Sequence, residues 1–186
     1  CTDRTSIRIL KTPKGAMISY GVTVHASEGD VKFGDTKEGS MGIRTHPNLR
    51  LSNGKGVTTA NGKAVNSSGH KDKQLWGKRA KWVDYWGKID DHTVGVAIFD
   101  HPNNPRHPTW WHARDYGLIA ANPFGIHNFE GKKKGVGDMT IKKGEKISFL
   151  YAFLFHEGDA ESADIAGTYD RWVEAIANMR TRAGNK

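Results

Sequence analysis

Alternating apolar and polar positions dominate this chain. In residues 17–26 (MISYGVTVHA), Ile18, Tyr20, Val22, Val24 and Ala26 share one side of an extended backbone. Ser19, Gly21, Thr23 and His25 share the other, because successive side chains of a strand point to opposite faces. The second face is small and polar, suited to solvent or to a groove. Short strands are predicted at 6–10, 31–33 and 41–44, the last two flanking the loop GDTKEGS. Residues 53–73 are rich in Gly, Asn, Ser and Lys and carry the turn pairs Asn53-Gly54 and Asn61-Gly62, so a long exposed loop or hairpin is predicted there. Strands follow at 81–86, 93–99, 116–121 and 139–141. The run KISFLYAFLFH, residues 146–156, is apolar on both faces and reads as a central strand covered on both sides.

Only the end of the chain has a helical period. Ile165, Tyr169, Trp172, Val173 and Ile176 form one apolar stripe, with Asp159 or Ser162 as the expected cap and Gly167 as a weak point. Strands at roughly 8–12-residue spacing with Gly and Asn turns predict an all-β, mainly antiparallel sandwich with one C-terminal helix. A doubly wound sheet would need helices between its strands. A single domain over residues 1–186 is expected, with 53–73 as a loop insertion.

Composition narrows the reading. Lys and Arg outnumber Asp and Glu by 28 to 20, a formal charge of +8, gathered in short patches around 78–81, 132–134 and 142–146. Such an excess attracts phosphate, nucleic acid or acidic glycans. No aromatic RNA-binding signature or helix-turn-helix accompanies it, so nucleic acid is not the expected partner. The one cysteine, Cys1, closes no internal disulfide and makes no zinc cluster. No apolar window of about 18 residues spans a membrane. The chain starts with Cys and contains no signal peptide. It is expected to be processed, or the C-terminal part of a longer and exported protein.

The densest chemistry lies in FDHPNNPRHPTWWHARDYG, residues 99–117. Pro102, Pro105 and Pro108 remove amide donors and bias their neighbours away from helix, which predicts a stiff connector. His101, His107 and His112 titrate near neutral pH or bind metals. Asp115 can orient an imidazole or move a proton. Arg106 and Arg114 offer planar donor forks, Asn103 an amide, and Trp110 and Trp111 flat faces. Aromatic planes beside carboxylates, amides and an arginine suit a sugar ring. Three histidines at spacings of six and five match no standard zinc motif. Glu38 in FGDTKEG, His156 at the end of the central strand, and Asp84 flanked by Trp82 and Trp86 are further candidates.

FGDTKEGSMGIR (33–44), WGKRAKWVDYWG (76–87), VGVAIFDHPNNPRHPTWWHARDYGLIAANPFG (94–125) and FLFHEGD (153–159) together resemble the PmoA-like family of soluble bacterial proteins, as the C-terminal portion of a longer member. The resemblance implies a β-sandwich like the large sandwich of aldose (galactose) mutarotases. It also implies export and company among sugar-degrading functions. It carries over no catalytic residue.

The expectation is therefore a carbohydrate-active sandwich, an enzyme binding a sugar or glycoside across a concave sheet face. His101, His107, His112 and Asp115 are its proton-transfer candidates, with Glu38 and His156 outside them. Arg106, Arg114, Trp110, Trp111, Asp84 and Asn103 are its substrate-binding candidates. A mutarotase-like reaction needs a base and an acid, and hydrolysis needs two carboxylates about 5–10 Å apart. The alternatives are a non-catalytic carbohydrate-binding module, a His-liganded metalloprotein or oxygenase, and a basic phosphate- or nucleic-acid-binding protein. No cofactor is expected, with room left for a divalent metal.

Overall fold

A computed structural model describes residues 1–38 and 41–184. Gly39 and Ser40 of the GDTKEGS loop lie outside the described residues. The main sheet has six antiparallel strands. In spatial order they are β1 (Thr2–Thr12), β2 (Gly15–His25), β11 (Lys146–Glu157), β7 (His92–Asp100), β6 (Trp82–Ile89) and β5 (Lys63–Asn66). A second sheet joins β4 (Met41–Arg44), β9 (Leu118–Asn122) and β8 (Trp110–Ala113), and a ribbon joins β3 (Val31–Phe33) to β10 (Met139–Ile141). The helices are the short α1 (Ile126–Glu130) and the long α2 (Ile165–Gly184). The expected mainly antiparallel all-β fold with one main C-terminal helix is what these strands form.

Both faces of the main sheet are covered around its centre. Val83, Tyr85, Val96, Ile98, Phe149 and Tyr151 point toward the smaller sheets and meet Trp111, Ile119 and Ala121. Trp82, Ala97, Phe99, Ala152 and Leu154 point the other way and meet Ile165, Tyr169 and Trp172 of α2. Each large apolar side chain buried this way contributes about 1.5–3 kcal/mol. β11 is central as expected: it pairs with β2 along one side and with β7 along the other. β1 leans on β2 alone and is exposed almost throughout.

Four sequence expectations are corrected. Residues 53–73 contain β5, whose Ala64 and Asn66 are buried, so part of that stretch belongs to the main sheet. Trp110–Ala113 is a strand that was not among the strands expected from the sequence. The strand expected at 116–121 starts at Leu118, because a turn intervenes: Gly117 has φ +84 and donates its N–H to Arg114 O at 3.0 Å. The cap of α2 is Asp164, whose Oδ1 accepts from Gly167 N at 3.2 Å. Asp159 and Ser162 instead bond each other in the preceding turn. A Cβ on Gly167 would fall 2.5 Å from an Asp164 carboxylate oxygen, so this glycine is what admits the cap.

Candidate functional site

The proline-rich connector is built around the buried carboxylate of Asp100, at the end of β7. It accepts from Asn104 Nδ2 at 2.7 Å, His107 Nδ1 at 2.7 Å and Thr109 N at 3.0 Å. Asn104 also donates to Leu150 O at 2.8 Å and accepts from Leu150 N at 2.7 Å, so its amide extends the ladder where β7 stops. Arg106 uses its fork on three main-chain carbonyls, those of Pro123, Gly137 and Asp138. Arg79 holds the carbonyls of Pro108 and Arg106 and stacks 4.3 Å over Trp110. The stiffness read from the prolines is thus completed by side chains.

The connector's candidates do not converge. His101 is buried against Trp172, and its Nδ1 accepts from Asn103 N at 3.1 Å. Asn103 itself is exposed. His112 lies on the outer face of the small sheet. Trp111 fills the core and donates to Ala80 O, and Trp110 is buried and donates to Glu130. Asp115 pairs loosely with Lys73 at 3.5 Å, and the Arg114 guanidinium lies 5.2 Å from the Tyr116 ring. Among the described residues, no group of three or more His, Cys, Asp or Glu is placed to hold a metal.

Two other candidates do meet. His156 on β11 reaches across β7 to Asp84 on β6, Nε2 to Oδ1, at 2.9 Å. The crossing works because Gly95 lies opposite His156 in the ladder, and a Cβ there would fall 2.4 Å from Nε2. A glycine inside a strand marks such a close approach. Both side chains are fully buried, and Asp84 Oδ2 has no partner among the described residues. Burial pushes the Asp84 carboxyl upward, and the His156 bond offsets this only in part. Both side chains are closed off from solvent inside the sheet.

The open chemistry lies between the sheets. Tyr20, Phe33, Phe124, Phe149, Tyr151 and Phe153 line a bay of about 650 Å³, with Glu38 on its rim. Phe33 stacks on Phe124 with centroids 4.9 Å apart. Every residue from 35 to 38 is tied down. Asp35 N donates to Asp138 at 2.7 Å, Thr36 O accepts from Asn122, Lys37 N donates to Asn128 at 2.9 Å, and Glu38 N donates to Thr36 Oγ1. Lys37 O accepts from His112 Nδ1 at 2.8 Å. The neutral His112 ring therefore carries its proton on Nδ1 and a lone pair on Nε2, which has no partner among the described residues. Burial holds the His112 pKa down, against the Lys37 carbonyl and the nearby Glu38 charge, which raise it. Lys37, 2.8 Å from Glu38, holds that carboxylate ionised.

Asp35 was not singled out from the sequence, yet it anchors this loop. It accepts from the main-chain N–H groups of His127, Gly135 and Gly137, with the His127 ring 2.8 Å away. Burial alone would raise its pKa, but these partners outweigh it and bring the value down to about 2. The available signal was glycine: a Cβ on Gly137 would overlap Phe124 O and Asp35.

No curated protein and no solved structure matches the chain. Residues 1–170 match the family described as "Family of unknown function (DUF6807)", and the chain belongs to that family. This corrects the resemblance drawn from the motifs: the matched family is not the PmoA-like one, and nothing indicates membership of the latter.

Proposed function

We propose that this member of a family of unknown function binds a carbohydrate in the aromatic bay. One observation supports the reading above others: aromatic rings surround a bay of sugar size, and a loop tethered at Asp35, Thr36 and Lys37 presents an ionised Glu38 at its rim. Ring faces take the C–H faces of a pyranose, and the carboxylate accepts from a pair of hydroxyls. Groups held before the ligand arrives lose little entropy on binding.

Glu38 is the carboxylate at the bay, and His112 of β8 bonds the carbonyl of the adjacent Lys37 and feels the Glu38 charge, so these two are the acid–base pair we propose. Glu38 is the one carboxylate among the described lining residues, so the proposal is proton transfer of the mutarotase kind rather than two-carboxylate hydrolysis. His112 sits behind the rim, and proton transfer through its Nε2 requires the 37–38 segment to shift. A second reading, binding without turnover, is favoured by the engagement of His101, His107 and His112 as struts.

The test is calorimetric titration with neutral monosaccharides and methyl glycosides, beside anomer exchange followed by NMR. Glu38→Gln is expected to weaken binding about 10-fold or more, the usual scale for a hydrogen bond to a charged group. Phe153→Ala should also weaken it. His112→Asn should slow exchange and leave affinity nearly intact. If no sugar binds, or Glu38→Gln binds like the native protein, the proposal fails. Binding without exchange selects the second reading.

A further inference from the structure

On the α2 side of the main sheet, beyond the helix's apolar contacts, β1, β2 and β11 floor a groove of about 560 Å³. Its floor carries Ser6, Ser19, Gly21, Thr23 and Ser148, with the apolar Leu150 beside Gly21. Arg4 and Arg8 of β1 form one wall, and the connector brings His101 and Asn103 to the groove. Arg8 reaches over to Met179 Sδ of α2 at 3.0 Å. A second hollow of about 450 Å³ continues past Arg4 and adds His25 and Lys146, with Asp3 as its carboxylate.

Two details set this groove apart from an ordinary solvated sheet face. Ser19 is only 4% exposed as a residue, and its hydroxyl opens onto the groove, bonded to nothing among the described residues. Gly21 keeps the floor low, since a Cβ there would sit 2.8 Å from Ser6 Oγ. Guanidinium forks suit oxyanions, and a row of hydroxyls suits the hydroxyls of a polyol.

We infer that this groove binds a small anionic polyol, a sugar carrying a carboxylate or phosphate group, with Arg4 and Arg8 on the anion and Ser19, Thr23 and Ser148 on its hydroxyls. The inference stands whether or not the aromatic bay takes a sugar. It is tested on the full chain by calorimetry at low ionic strength with glucuronate, glucose 6-phosphate, glucose and inorganic phosphate. Binding of either anionic sugar, at least about 10-fold tighter than glucose and weakened by added salt, supports it. The arm that binds identifies the source of the anion. Arg4→Gln and Arg8→Gln should each weaken binding several-fold. Both residues are exposed on β1, so unchanged melting temperatures show that the fold persists. Gly21→Val, which fills the floor, should abolish binding, and Lys132→Gln, in the loop after α1, should leave it unchanged. The inference is overturned if neither anionic sugar binds, if inorganic phosphate binds as tightly as the sugars, or if both arginine variants bind like the native protein.

Discussion

Asp35 and Asp84 are both buried carboxylates within 3 Å of a histidine nitrogen, yet their environments drive them in opposite directions. Asp35 receives three main-chain N–H groups and stays ionised far into acid. Asp84 has His156 on one oxygen and no partner on the other among the described residues, and burial raises it despite the help of His156 and the Tyr85 main chain. Depth and the number of donors together decide the charge of a buried acid: Asp84 lies deeper and has fewer of them. The difference has a topological cause. Asp35 lies in a loop, where main-chain N–H groups are free to turn toward it. Asp84 lies inside a sheet, where the ladder already uses them.

Three substitutions test that contrast. The largest effect should come from His156→Ala, which leaves a cavity in the core and Asp84 without its hydrogen-bond partner; chemical denaturation should show a loss of about 3–5 kcal/mol. If the loss is below about 1 kcal/mol, the pair is not coupled as described. Asp35→Asn should come next, at about 2–3 kcal/mol, because an amide replaces an acceptor of several charge-assisted bonds. The native protein should echo this in acid. The Asp35 pKa is lowered, so its stabilisation is complete above the unfolded value of 3.8 and is lost as pH falls toward about 2. That accounts for ~2 kcal/mol. Denaturation midpoints between pH 5 and pH 2 should drop less in Asp35→Asn than in the native chain. Asp84→Asn should be mildest, about 1 kcal/mol or less, since its environment already favours a neutral group. If it costs more than Asp35→Asn, the donor-count argument is wrong.

What the sequence revealed depended on the range of the interaction. The alternation of 17–26 exposed both the apolar floor of the bay and the polar face with Ser19, Gly21 and Thr23 that floors the groove. The stripe from Ile165 to Ile176 placed α2. By contrast, β5 is only four residues long, too short for a period to show among its Gly and Asn neighbours. β8 is covered on both faces and follows Pro108, so neither alternation nor flank marked it as strand. Glu38, His112, Asp84 and His156 were legible as chemical types. Their partners were not. His112 bonds a main-chain carbonyl 75 residues away, and the Asp84–His156 contact requires β11, β7 and β6 to lie side by side. Asp35 went unnoticed in the same motif as Glu38, because its role rests on main-chain groups that carry no side-chain signature.

The position of β11 sets a timetable for the growing chain. The strand that joins both halves of the main sheet is its last to be made, about 120 residues after the β2 strand it pairs with. At ribosomal speeds of about 5–20 residues per second, the β1–β2 hairpin waits roughly 6–24 s with one long edge unpaired. During that interval β1–β2 has no neighbour to pair with, and the face of β6 and β7 that α2 covers stays open because α2 follows β11. Residues 146–157 close that gap when they emerge, so the sheet becomes one continuous structure only near the end of synthesis.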